Sequence, residues 1–322
     1  GISTSASIPD YRGPQGIWTL HKKAGNQANQ NVSCAARAGL IDKIRAQPTR
    51  AHMVLASLNA AGVIRCVISQ NIDGLHLRSG VPESSLCELH GNVFKERCSK
   101  CGAMYLRGFD VTEHSAYRRH ATSRTCDKKS CRGQLADTIV YFGEKLCEFD
   151  LETAQEQAQQ ADLSLFIGSS LKVLQHYKYI WERSGGGKRH KQFVIVNLQP
   201  TPKDRVAELV LRGRCDDVLE QLLKELGVPL RRYDCTKDKV LHKASKEAKL
   251  AAAAAAAALP AAASPAALAD AAASCSSAPN SADHAGGRVK RKVSDKGTAA
   301  EGSATLKKPC AQQQRGSRRT VK

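Results

Sequence analysis

Short apolar runs alternate with amphipathic stretches over the first two thirds of the chain. Val63-Ile64-Arg65-Cys66-Val67-Ile68-Ser69 is rich in β-branched side chains and predicts a buried strand. Leu163-Ser164-Leu165-Phe166-Ile167 and Phe193-Val194-Ile195-Val196-Asn197 predict two more. Between these runs the pattern turns helical. Pro48 opens one helix, which continues through His52, Leu55 and Leu58 and stops near Gly62. Phe149 to Gln160, rich in Glu, Gln and Ala, predicts a second, and the amphipathic stretch Val218 to Gly227 a third with a glycine stop. Strands alternating with helices predict an α/β fold on a parallel sheet.

Residues 91–138 break the rhythm. They are rich in Cys, Arg, Lys and His, lack apolar runs, and predict a small module inserted between body segments 1–90 and 139–230. Beyond about Tyr233 the chain is Ala, Ser and Pro with almost no aromatics. Residues 231–322 therefore predict a low-complexity tail, mostly disordered, because too little apolar surface is available to offset chain entropy. Within it, residues 244–258 predict an isolated helix on alanine propensity.

Charge changes the picture at the tail. The 322 residues carry 49 Lys+Arg against 30 Asp+Glu, a net +19. Residues 231–322 hold 18 basic and 7 acidic side chains, a net +11, which leaves +8 on residues 1–230. The cluster Arg288-Val289-Lys290-Arg291-Lys292-Val293, followed by Lys307-Lys308, Arg315, Arg318 and Arg319, suits nuclear import and contact with nucleic-acid phosphates; the alternative is a solvated basic tail. No apolar run is long enough for a membrane span, and Ala251–Ala258 is too short and too weakly apolar. Twelve cysteines are too few for a disulfide scaffold, so a reducing compartment is expected.

Four of those cysteines form two close pairs, Cys98 with Cys101 and Cys126 with Cys131, each followed closely by a glycine, Gly102 or Gly133. Four thiolates give zinc a closed tetrahedral shell that folds a module without hydrolytic chemistry. The paired spacing in a core-poor segment favours zinc over four unrelated thiols. The candidate ligand-binding residues sit elsewhere. Gly1-Ile2-Ser3-Thr4-Ser5-Ala6-Ser7 is small and polar, as a loop that brings backbone N–H groups to phosphate oxygens must be. Three predicted strands end in polar residues: Gln70-Asn71-Ile72-Asp73, Gly168-Ser169-Ser170 and Asn197-Leu198-Gln199. In open α/β sheets ligands bind at such carboxyl ends. Ordinary capped turns look similar, and a lone histidine such as His90 is more often structural than a general base, so the residues alone leave both readings open.

The order of the motifs resolves this. Ile8-Pro9-Asp10-Tyr11-Arg12-Gly13-Pro14, Gln70-Asn71-Ile72-Asp73-Gly74-Leu75-His76, Leu89-His90-Gly91-Asn92, the cysteine pairs, Phe142-Gly143-Glu144, Gly168-Ser169-Ser170-Leu171 and Asn197-Leu198-Gln199 succeed one another as in sirtuins. The chain resembles that family over residues 1–227. Gly16-Ile17-Trp18-Thr19 and Thr201-Pro202-Lys203-Asp204 are most similar to its nuclear class IV branch.

The resemblance implies a Rossmann-type NAD-binding domain with a zinc module beside it, acting as an NAD-dependent protein-lysine deacylase. In that chemistry the acyl oxygen attacks the nicotinamide ribose, nicotinamide leaves, and the acyl group is transferred to ADP-ribose. His90 is implied as general base and Asn71 as its catalytic partner on the ribose. Gly1, Ile2 and Ser3 are implied at the diphosphate. Ile8, Pro9, Asp10, Tyr11, Arg12 and Trp18 belong to the cofactor loop. Gln70, Ile72 and Asp73 line the nicotinamide side, while Gly168, Ser169, Ser170, Asn197, Leu198, Gln199, Cys215 and Asp216 take the adenosine side. Val140, Phe142, Gly143 and Glu144 receive the substrate peptide as an added strand. Histones or other nuclear proteins are the implied substrates, with chromatin or nucleic acid as partner and the nucleus, including the nucleolus, as location. Two alternatives share these residues: protein mono-ADP-ribosyl transfer, and a non-catalytic chromatin adaptor. The family's phosphate loop runs Gly-Ala-Gly-Ile-Ser after a first strand, and Gly1 is its second glycine; the chain is therefore expected to be a fragment of a longer protein.

Overall fold

Thr49 starts the helix Arg50–Ala60 with a reciprocal cap: its hydroxyl accepts from the His52 N–H, and the His52 ring accepts from the Thr49 N–H. The computed structural model describes residues 1–10, 12, 13, 16, 19, 43–113, 115, 118–181 and 192–258. These belong to the unit Gly1–Pro260; the unit Ala261–Lys322, with the basic cluster at 288–293, lies outside the described residues. The helices and strands run α1 (Arg50–Ala60), β1 (Val67–Ser69), α2 (Leu75–Arg78), β2 (Leu86–Glu88), β3 (Lys95–Cys98), β4 (Met104–Leu106), β5 (Ala121–Thr125), β6 (Gln134–Asp137), α3 (Glu148–Gln160), β7 (Leu163–Ile167), α4 (Lys178–Trp181), β8 (Gln192–Val196), β9 (Leu209–Leu211), α5 (Cys215–Glu225) and α6 (Lys239–Ala258).

Two parallel sheets and one antiparallel sheet result among the described residues. β1 pairs with β2, and β7, β8 and β9 pair in that order, with Phe166 opposite Ile195. The order β4-β3-β6-β5 forms the antiparallel sheet, all within residues 91–138. Alternation along β7 explains the layering. Leu165 and Ile167 pack with Val54, Leu55 and Leu58 of α1 and Leu219 and Leu223 of α5. Phe166 points the other way, to Trp181 of α4, Phe193 and Ala154 of α3. Its ring stacks on Trp181 at 4.9 Å and meets Phe193 edge-on at 5.6 Å. Helices thus cover both faces of the parallel strands, as parallel sheets require.

Two expectations need correction. The strand predicted from Val63 begins only at Val67. Gly62 turns with φ +73°, and the N–H groups of Val63 and Ile64 both return to the Leu58 carbonyl, so these residues close α1 instead of extending the sheet. The alanine-rich helix is neither isolated nor confined to 244–258. It starts at Lys239, and its first turns are docked. Asp238 caps it by accepting from the Val240 and Leu241 N–H groups. The same carboxylate pairs with Arg78 Nε at 2.7 Å, with side-chain exposures of 0% and 1%. Arg78 also donates to the Lys43 and Ile44 carbonyls, and Tyr233 donates to Asp238. Val240 is buried with Val93, Phe94 and Ile139, and Glu247 accepts from the Gly108 N–H. At Gly108 a Cβ would come within 2.0 Å of the Ala244 nitrogen, so only glycine fits under the helix.

Removing one partner of a buried ion pair leaves the other charge uncompensated. Asp238→Ala is expected to lower unfolding free energy by roughly 3–5 kcal/mol, read from urea denaturation. A loss below about 1 kcal/mol, typical of an exposed pair, would contradict the buried clamp.

Candidate active site

The polar strand ends lie at carboxyl ends of parallel strands, and three side-chain contacts tie several of them together. Ser3, buried after the turn that opens the chain, donates to Asp73 Oδ2 at 2.6 Å and accepts from Asn71 Nδ2 at 3.0 Å. Asp73 Oδ1 accepts from the Leu75 N–H at the start of α2. Gln70 Nε2 donates to Ser169 Oγ at 3.0 Å, which joins the end of β1 to the end of β7. The backbones of Gly1 and Gly168 press together: a Cβ on Gly1 would sit 2.8 Å from the Gly168 carbonyl oxygen. Glycine at both positions is the condition for that approach.

His90 stands just past β2, half-buried. Its Nδ1 lies 2.9 Å from the Gln70 carbonyl oxygen. A carbonyl only accepts, so Nδ1 carries the hydrogen and a neutral ring leaves Nε2 with a free lone pair. Burial lowers the His90 pKa from its ordinary value and outweighs the opposing Gln70 bond, so the ring is unprotonated at neutral pH. Ser3, Asn71 and Asp73 thus form one hydrogen-bonded group and Gln70, Ser169 and His90 a second, and the two meet at the Gln70–Asn71 peptide bond.

Other predicted residues lie outside these groups. Asn197 donates to the Gln199 carbonyl, Arg212 holds the carbonyls of both, and Leu198 is exposed. Gly168 donates its N–H to the Val196 carbonyl, which keeps 168–170 beside 197–199. Asp216, in the first turn of α5, accepts from Ser5 and from the Ala51 N–H, while the Cys215 thiol is raised by burial. Ile8, Pro9, Asp10 and Arg12 come after the first turn in irregular backbone; Tyr11 and Trp18 lie outside the described residues. Val140 donates its N–H to the His90 carbonyl at 3.0 Å. Phe142 is exposed, Gly143 turns with φ +87°, and Glu144 folds back to accept from the Tyr141 N–H.

Sequence reasoning missed the layer beneath Ser3. Thr49 Oγ1 lies 3.1 Å from the Ile2 carbonyl and 2.7 Å from His52 Nδ1. His52 and His76 are buried with ring centroids 4.6 Å apart. Burial pushes His76 down to about 4 against the pull of Asp73, and pushes His52 well below its ordinary range. Both rings are neutral supports at physiological pH. The Thr49–His52 spacing, a capping box with histidine at its third position, was the available signal.

The four cysteine sulfurs lie within 4.8 Å of one another, with Cys98–Cys131 and Cys101–Cys126 each at 3.7 Å. A zinc about 2.3 Å from four sulfurs puts neighbouring sulfurs about 3.8 Å apart, so the donor set fits the ion. The Cys101 and Lys100 N–H groups help draw the Cys98 thiol down to about 6, toward the ligating thiolate. Tyr105 lies 3.0 Å from the Cys126 sulfur as an outer support. A Cβ on Gly133 would lie 2.8 Å from the Cys98 sulfur.

The Sir2 family model matches residues 1–175. The chain belongs to the Sir2 family. It is 47% identical over 250 residues to the NAD-dependent protein deacetylase sirtuin-7 of Bos taurus and 46% to that of Homo sapiens, covering 76% of this chain and 59% of each relative. An NAD-dependent protein deacetylase of Sulfolobus acidocaldarius is 36% identical over 70% of this chain and 87% of its own length. Among solved structures, a Sir2–p53 peptide–NAD+ complex superposes with a TM-score of 0.50 at 31% identity, covering 70% of this chain and 90% of that one. Sir2 bound to acetylated peptide gives 0.50 at 32%, covering 71% and 90%. The Rossmann-like α/β fold with a four-cysteine cluster is that of the family. The chain spans 59% of the length of these sirtuin-7 relatives.

Zinc content tests the cluster apart from any activity. Purified chain is expected to hold one zinc by atomic absorption, with most of it lost in Cys98→Ser and in Gly133→Ala. Full zinc in both variants would overturn the assignment.

Proposed function

We propose that this chain is the catalytic part of an NAD-dependent protein-lysine deacylase, with zinc held by Cys98, Cys101, Cys126 and Cys131. The observation that carries the reading is the hydrogen-bonded convergence of Ser3, Asn71, Asp73, Gln70, Ser169 and the neutral His90 at strand carboxyl ends in a Sir2-family chain. Sir2 complexes with NAD+ and with acetylated peptide support the choice of co-substrate and substrate.

When bound, NAD supplies an electrophilic ribose carbon and the acceptor for the acyl group. The residues of this chain supply the rest. Ser3 and the glycine-lined approach of residues 1–2 to 168 suit the diphosphate. Asp73, its Oδ2 already taking the Ser3 hydroxyl, offers remaining lone pairs to a carboxamide. Asn71 is anchored through Ser3 and orients the ribose. His90 removes the ribose hydroxyl proton at Nε2 while Gln70 fixes its tautomer; its lowered pKa makes it competent above about pH 6.5. Val140 to Glu144 receive the peptide main chain, a mode that tolerates many sequences. The cofactor loop shields the site from water, which preserves acyl transfer against hydrolysis.

The net +11 of residues 231–322 supports histones or other nuclear proteins as substrates, chromatin or nucleic acid as partner, and a nuclear, including nucleolar, location.

His90→Ala is expected to lower turnover of an acetyl-lysine peptide by roughly 100- to 10,000-fold while zinc content stays unchanged. Mass spectrometry of the wild-type products identifies the reaction: O-acetyl-ADP-ribose is expected. ADP-ribose left on protein, or turnover undiminished in His90→Ala, would refute the assignment.

A further inference from the structure

His120 enters β5 with φ +56° and places its ring between two carboxylates. Nδ1 lies 2.9 Å from Asp137 Oδ1 and Nε2 3.1 Å from Glu144 Oε1. Ionised carboxylates only accept, and a neutral imidazole has a single N–H. Both contacts are hydrogen bonds together only in the imidazolium. Asp137 needs the charge: its side chain is 0% exposed, Oδ1 also takes the Ile139 N–H, and Oδ2 is buried without a hydrogen-bond partner among the described residues. Among the described residues its surroundings also include the Tyr141 ring, 5.4 Å from that of His120, and Arg118, which donates to the Phe142 carbonyl and acts on Glu144.

Loss of the proton affects the two contacts unequally. Asp137 is sealed at the end of β6, whereas the Glu144 side chain is 25% exposed and can rehydrate. The bond given up is therefore the one to Glu144. That carboxylate also fixes the turn of residues 141–144 by accepting from the Tyr141 N–H at 2.8 Å. The turn continues from Val140, which is bonded to the His90 carbonyl.

We propose that His120 is a positioning residue which, as an imidazolium, holds residues 140–144 in the arrangement that receives the acyl-lysine peptide, and releases them on losing its proton. The proposal rests on the deacylase reading. Burial alone would lower the His120 pKa, but the bonds and charges of Asp137 and Glu144 outweigh it and the value is raised. The raised value sets the sign: the clamp is complete at and below about pH 6.5 and is lost as pH climbs through the higher folded value. His90, shifted the other way, is already unprotonated across that window.

Two measurements on the full chain test this. In histidine-ring proton–nitrogen NMR, His120 is expected to titrate above 6.5 with both ring nitrogens protonated below the midpoint, and to move down in Glu144→Gln. A midpoint at or below 6.5 overturns the proposal. In steady-state assays, KM for an acetyl-lysine peptide is expected to rise several-fold between pH 6.5 and 9 with little change in KM for NAD. His120→Gln should hold the high value throughout, and His120→Arg, charged at every pH, the low one. Normal turnover with a pH-independent peptide KM, or a pH dependence that survives in His120→Gln, refutes the positioning role alone. A ring that titrates as expected in a protein that neither binds nor turns over the peptide refutes the deacylase reading and the positioning role with it.

Discussion

One hydroxyl organises the strand ends. Ser3 Oγ accepts from half-buried Asn71 and donates to buried Asp73, and the hydroxyl itself is out of water. A buried hydroxyl must find partners or forfeit desolvation energy of about 1–3 kcal/mol, so residue 3 and residues 71–73 hold each other in register. The neighbouring constraints inherit that placement. Ile2 is drawn into the core between α1 and α5, Gly1 meets Gly168, and Gln70 reaches Ser169. Since β1 and β7 share no ladder among the described residues, the Gln70–Ser169 bond is the side-chain link between their ends.

The antiparallel sheet contributes in a different way. Its cysteine cluster is remote in role from the polar strand ends, yet β6 leads from Asp137 into Val140, whose N–H meets the His90 carbonyl. The sheet that carries the four-cysteine cluster therefore delivers the 140–144 segment to the side of His90. The division of labour stems from residue chemistry. In the proposed reading, thiolates fix shape, small and amide side chains leave room for a large polar ligand, and a half-buried imidazole handles the proton.

Much of the fold was legible where one physical demand acted alone. β8 is apolar because parallel strands are covered on both faces, and the chain shows that plainly at 193–196; β7 carries the same signal at 163–167 but is half-buried, with Leu163 exposed. Val63 and Ile64 misled because a helix end also recruits apolar residues when glycine turns the chain back. The four cysteines were visible from spacing. The polar strand ends were visible only as three separate turns, and the motif order of a known family supplied what joined them. His52 and His76 were missed because a buried neutral imidazole leaves no compositional trace.

The docked segment after Tyr233 was hidden because Asp238 to Glu247, with three lysines, reads as part of a basic tail and runs directly into the alanine tract at 251–258. Its attachment redraws where the folding unit can be cut. A chain ended near Leu230, just after the last amphipathic helix, would leave the buried Arg78 guanidinium without its carboxylate and the floor under Phe94 open. A piece that keeps these contacts thus runs at least to Glu247, into sequence that looks like filler.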